Sequence, residues 1–174
     1  MLAHGRPYLA IPGPSVMPDR VLNAMHRAAP NIYTGELHAM TDGLIPDLKA
    51  MARTKGEVAI YIGNGHAAWE AGLANVLSRG DTILVLATGR FCLGWGEMAR
   101  GLGVKVEVID FGQQSDIGMG QVETALRADV DGRIKAVLAV HVDTSTSVRN
   151  DVSGLRAVLD RTGHPALLMI DCIA

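Results

Sequence analysis

Cysteine is scarce in this 174-residue chain: Cys92 and Cys172 are the only two, and they lie far apart. That spacing excludes a paired metal-binding or redox framework and points to free thiols in a reducing compartment. Clustered cations are missing as well. Lys and Arg are scattered and the net charge is −2, so a nucleic-acid backbone finds no cationic stripe to bind. No apolar run approaches the roughly 20 residues that span a bilayer. The start, MLAHGRPYLAIPGPS, lacks the apolar core of a secretion signal. These absences lead us to expect a cytoplasmic protein with neither nucleic-acid nor membrane partners.

What is present is a rhythm. Apolar residues make up 48% and charged residues 20%, enough for a packed core. After the Pro- and Gly-rich IPGPSVMPDR, helical spacing runs through DRVLNAMHRAA and again through TDGLIPDLKAMARTK, which Thr41 or Asp42 is expected to cap. EVAIYI reads as a strand and HAAWEAGLANVLSRG as a helix stopped by Gly80. Strands TILVLA, VKVEVIDF, IKAVLAVHV and ALLMIDCIA then alternate with amphipathic helices. Strands apolar on both faces predict an α/β fold, a mostly parallel sheet covered on both sides. The chain stops just after ALLMIDCIA, at the strand edge where α/β sheets bind ligands, so we expect it to be truncated, part of a longer protein.

Four segments carry candidate chemistry, each with a plainer alternative. In IGNGHAAWEAG, the glycine-bounded turn opens a helix, where free N–H groups and the helix dipole favour an anion. Asn64, Gly65 and His66 stand there. Gly63-x-Gly65-x-x-Ala68 also satisfies a loose dinucleotide fingerprint, which requires an acidic residue at the far end of the next strand. Asp81 precedes that strand and so lies at the wrong end. A tight turn without a ligand is the third reading. Asp171 closes a very apolar strand, where a carboxylate is costly without a partner such as a protonated ring nitrogen or a metal; capping the next loop is the alternative. HVDTSTSVRND places Asp143, Thr144, Ser145 and Thr146 in a loop that either binds a ligand or leads into a helix capped near Asp151. Phe91, in ATGRF, either stacks on a planar ring or packs in the core. Trp69 and Trp95 read as core or interface residues, and His141 as a satisfied strand residue.

In this order and spacing, IPGPSVMP, IGNGHAAWEA, ATGRF, HVDTST and MIDCIA resemble the class V aminotransferases of the alanine–glyoxylate and serine–glyoxylate type. The resemblance implies part of an aspartate-aminotransferase-like, fold type I, three-layer large domain over 16–174, with residues 1–15 as an entry loop or amino-terminal arm. It implies pyridoxal 5′-phosphate as cofactor and no metal. Asn64, Gly65 and His66 would hold the phosphate, Phe91 would stack on the ring, and Thr144 would bond near the phenolic oxygen. Asp171 would pair with the pyridine nitrogen, Ile173 would pack on the other face, and Pro12 and Gly13 would serve the substrate. The reaction implied moves an amino group from serine or alanine to glyoxylate or pyruvate, in a homodimer. Two departures stand out. Relatives usually read Thr-Ser-Thr-Gly where this chain has Ser147 last, so the backbone after Thr146 is expected to differ. The Schiff-base lysine and the carboxylate-binding arginine are expected beyond Ala174, so this stretch alone is expected to be inactive. A lyase or desulfurase using the same cofactor, a dinucleotide enzyme and a non-catalytic dimerisation module remain the rivals.

Overall fold

The computed structural model describes residues 9–11 and 13–174 and divides into two units, 1–60 and 61–174. The first holds helices α1 (Asp19–Met25) and α2 (Glu36–Met51). None of its described residues is buried.

Helix α2 begins earlier than expected. The Thr41 hydroxyl donates back to the Leu37 carbonyl at 2.9 Å, the bond of a residue inside a helix and not of a cap. EVAIYI, expected as a strand, pairs with no described strand. Ile60, Tyr61 and Ile62 are largely exposed, and backbone groups without a ladder partner turn to water.

The second unit contains α3 (Gly65–Val76), β1 (Thr82–Ala87), α4 (Arg90–Gly101), β2 (Lys105–Asp110), α5 (Met119–Ala128) and β3 (Ile134–Val140). A two-residue hairpin pair, β4 (Val142–Asp143) with β5 (Val148–Arg149), follows, and then α6 (Val152–Thr162) and β6 (Leu167–Asp171). The four longer strands form one all-parallel sheet in the order β2-β1-β3-β6.

Strand alternation sorts the core into two layers. Ile83, Val85 and Ala87 of β1 and Ala136, Leu138 and Val140 of β3 join Trp69, Leu73, Cys92 and Trp95 under α3 and α4. Leu84, Leu86, Val137 and Ala139 point the other way, onto Val122, Leu126, Leu155 and Leu159 of α5 and α6. A period of two along each strand is what divides these sets. Helix α4 lies close to β1 because Gly96 has no side chain: a Cβ there would stand 3.1 Å from Val85 Cγ2. The expected cap of α6 is in place, with Asp151 accepting from the Gly154 N–H at 2.9 Å.

Register brings the functional candidates to one edge. Ala87 pairs with Asp110, and Val140 with Asp171, so these strands end together. The chain order reverses between β1 and β3, the place where α/β sheets open a ligand crevice.

Candidate functional site

Asp171 is the centre of the candidate site. Its backbone carbonyl accepts from the His141 N–H at 2.8 Å, holding the end of β6 against the chain leaving β3. Its carboxylate is half-buried and held at both oxygens: Trp69 Nε1 donates to Oδ2 at 2.9 Å, and the Ile173 N–H donates to Oδ1 at 3.0 Å. Both donors are neutral. Among the described residues no Lys, Arg or His forms an ion pair with Asp171, so its charge lacks a cationic partner.

The carboxylate borders a cavity of about 390 Å³ whose lining includes Gly65, Trp69, Trp95, Met169, Cys172 and Ile173. Aromatic packing fixes one wall. The Trp69 ring stacks on Trp95 at 5.7 Å, meets Phe91 edge-on at 6.2 Å and carries His66 at 4.6 Å. Sequence reasoning read Trp69 as a core or interface residue and gave it no part in the site. The overlooked signal was spacing: Trp69 is one helical turn beyond Gly65, on the face that follows the turn.

At the start of α3, Asn64 is the N-cap, accepting from the Ala67 N–H through its side chain at 3.2 Å. Its carbonyl takes the Ala67 and Ala68 N–H groups. The Gly65 and His66 N–H groups have no acceptor among the described residues, and Gly65 borders the cavity. Helix dipole and open donors therefore coincide at that corner.

The loop after β3 serves a different end. Asp143 is fully buried. Its Oδ2 accepts from the Phe91 N–H at 3.0 Å, and its Oδ1 accepts from the Ser145 N–H at 3.0 Å and the Ser145 hydroxyl at 2.6 Å. It thus caps α4 from another part of the chain. Asn150 completes the stitching by donating to Thr88 Oγ1 at 2.9 Å and to the Val140 carbonyl at 2.8 Å. Thr144 is exposed on the turn between β4 and β5. Ser147 takes φ 61°, in the left-handed region that favours glycine, so this departure puts serine in a glycine-like conformation.

Several alternatives lose support. Asp81 Oδ2 accepts from the Ser78 N–H at 2.7 Å, tying the turn before β1 at the edge opposite the site. Among the described residues no three His, Cys, Asp or Glu side chains gather as a metal set. Cys92 is buried and its thiol donates to the Leu138 carbonyl, so it cannot act as a mobile catalytic cysteine. Burial, with the charges of Asp143 and Asp171, pushes its pKa up to about 12. Lys105 opens β2 and Lys135 lies near the start of β3, at the far edge of the sheet, while Lys49 pairs with Glu57 at 2.8 Å. Gly13 is in the first unit, and Pro12 lies outside the described residues.

The parallel sheet and its two helical layers are those of the fold type I architecture. The comparisons with known proteins agree. The chain is 37% identical over 175 residues to a serine–glyoxylate aminotransferase of Methylorubrum extorquens, an alignment covering 98% of this chain and 42% of that protein. It is 35% identical over 177 residues to the Arabidopsis thaliana serine–glyoxylate aminotransferase, covering 100% and 44%. A crystal structure of an alanine–glyoxylate aminotransferase from Nostoc sp. superposes with a TM-score of 0.79 at 28% identity, over 91% of this chain and 41% of that one. No family model matches the chain. By sequence and fold the chain is similar to the glyoxylate aminotransferases, and it spans about two fifths of the length of the curated relatives it matches.

Proposed function

We propose that the protein carrying this chain is a pyridoxal-phosphate-dependent aminotransferase moving an amino group from serine or alanine to glyoxylate or pyruvate. One observation carries the reading: a half-buried carboxylate, fixed by two neutral donors beside an apolar cavity, with no cationic partner among the described residues. That donor set fits a protonated pyridine nitrogen, which would supply the missing charge. Asn64, Gly65 and His66 would hold the phosphate at the start of α3, and Ile173 would pack on the ring. Phe91 and Thr144, from the first turn of α4 and the β4–β5 turn, would complete the enclosure, and Pro12 and Gly13 of the amino-terminal arm would serve the substrate. When bound, the cofactor supplies an electron sink for the substrate carbon that loses its proton. Asp171 keeps a proton on the ring nitrogen, and the apolar lining strengthens that pairing by keeping water away.

The first unit supports a homodimer. It buries none of its described residues and exposes Met17, Leu22, Met25, Ile32, Tyr33 and Met40, an apolar surface that a second copy would cover. The two reduced cysteines, and the lack of any helix long and apolar enough to cross a membrane among the described residues, accord with a cytoplasmic location.

Cysteine chemistry gives a direct test. Cys172 is exposed and borders the cavity, while Cys92 is buried. Of these two thiols, a chromogenic disulfide should therefore label Cys172 in the folded protein and Cys92 only after unfolding. Burial and the Asp171 charge raise the Cys172 pKa, so its labelling should speed up into the alkaline range. Pyridoxamine phosphate, which cannot condense with lysine, should slow that labelling. An unchanged rate at saturating ligand would remove the cofactor from this cavity.

The phosphate seat can be tested separately. His66→Ala should weaken pyridoxal-phosphate retention about three- to tenfold, the loss expected of one hydrogen bond. Asn64→Ala should also cost about 1 kcal/mol of stability, because it deletes a helix cap. Parent-like retention in both variants would place the phosphate elsewhere.

A further inference from the structure

We propose that Trp69 is the positioning residue for Asp171, with its indole N–H setting the direction in which the carboxylate meets the cofactor ring. The inference rests on the cofactor reading above.

Two donors act on the carboxylate, one at each oxygen, so rotation about its final bond would break at least one. They differ in support. Ile173 lies beyond the end of β6 and is 83% exposed. Trp69 is 5% exposed, inside a regular helix, with Trp95, Phe91 and His66 around its ring. The rigid reference is therefore the indole, and a precise site requires its polar groups to be held by packed neighbours.

Helix α3 also links this bond to the opposite end of the cavity. Gly65, with its open N–H, and Trp69 are four residues apart, a rise of about 6 Å along the axis. One stiff element thus presents anion-binding amides at its start and the carboxylate's anchor one turn later. The separation between phosphate seat and ring-nitrogen partner becomes a property of a single helix.

Neutrality matters as much as position. A lysine or arginine here would satisfy Asp171 with a positive charge and compete directly with the pyridinium. An indole satisfies a lone pair, adds no charge and leaves the remaining acceptor capacity for a second donor.

The test is Trp69→Phe in the whole protein, reconstituted with pyridoxal phosphate bearing a 15N-labelled ring. The variant keeps an aromatic ring in the stack and deletes the donor together with the pyrrole part of the indole, so Trp69→Leu serves as the control for lost packing. Its thermal midpoint should stay near that of the parent. Cofactor affinity should fall about tenfold, and the ring nitrogen should lose its proton about one pH unit lower than in the parent. A packing role alone would leave the nitrogen resonance unmoved in Trp69→Phe and disturb it only in Trp69→Leu; that pattern overturns the inference. The parent offers a second reading that needs no variant. Its Trp69 indole proton should exchange slowly with solvent and shift when the cofactor binds, and a resonance indifferent to the cofactor also overturns the inference. A parent that gives no bound-cofactor signal overturns the cofactor reading itself, and this inference with it.

Discussion

Replacing Asp171 by alanine is expected to lower transamination by about 10²–10³-fold while changing thermal stability only modestly. The two effects have different sources. Removing one member of a buried charge pair costs about 3–5 kcal/mol, and each ~1.36 kcal/mol is tenfold in rate; half-burial puts Asp171 at the lower end of that range. In folding, the loss is limited to the Trp69 and Ile173 hydrogen bonds. The strand itself stays paired, because β6 is held by its ladder to β3 and by the His141–Asp171 backbone bond. Asp171→Asn separates the sources further: it keeps the volume and an acceptor while removing the charge, so turnover should fall nearly as far with a smaller change in melting. Steady-state rates at saturating cofactor, set beside scanning calorimetry on the same preparations, decide the matter. Proportionate losses of activity and stability would make Asp171 a structural residue.

Most of the sheet was legible in the sequence because central parallel strands have a strong signal. TILVLA is apolar at every position after Thr82, and β1 is buried at every position, since both faces are covered. EVAIYI is also mostly apolar, yet it has no ladder partner among the described residues, and composition cannot supply a partner. The start of α2 misled for a related reason: Thr41 has the chemistry of a cap, yet its hydroxyl finds the Leu37 carbonyl within a longer helix.

At the site, legibility followed contact distance along the chain. Asn64 and Asp151 cap helices a few residues away, and local spacing pointed to both regions. Trp69 and Asp171 are brought together by the fold across 102 residues. Their spacing shows nothing, although Trp69 shares a face with Gly65 and was within reach of a helical-wheel argument. The loop HVDTST is the clearest lesson. Its carboxylate and hydroxyls read as ligand-binding groups, and several of them bind the protein's own backbone. Asp143 is consumed by α4, whereas the start of α3, capped by a neutral asparagine, keeps two donors open.

That division of labour makes Asp143 a residue whose loss should hurt folding. Asp143→Ala would strip the acceptor from the Phe91 and Ser145 N–H groups and from the Ser145 hydroxyl. A lost helix cap plus unsatisfied buried donors comes to roughly 2–4 kcal/mol. Gly89 exists for the same carboxylate. Its φ of 172° is extended backbone open to any residue, so the constraint is purely one of space. A Cβ at Gly89 would stand 2.4 Å from Asp143 Cγ and 2.5 Å from Oδ1. Gly89→Ala should therefore displace the carboxylate and destabilise by about 1–3 kcal/mol. The two changes act on one contact and cannot add. Once Asp143 is alanine, the space that Gly89 protects is empty, and a methyl group there should cost little more. In urea titrations the double variant should match Asp143→Ala to within about 0.5 kcal/mol, giving a coupling energy close to the whole Gly89→Ala loss. Simple additivity would mean that Gly89 answers to some other neighbour, and that the cap on α4 does not depend on the approach of Asp143 through this gap.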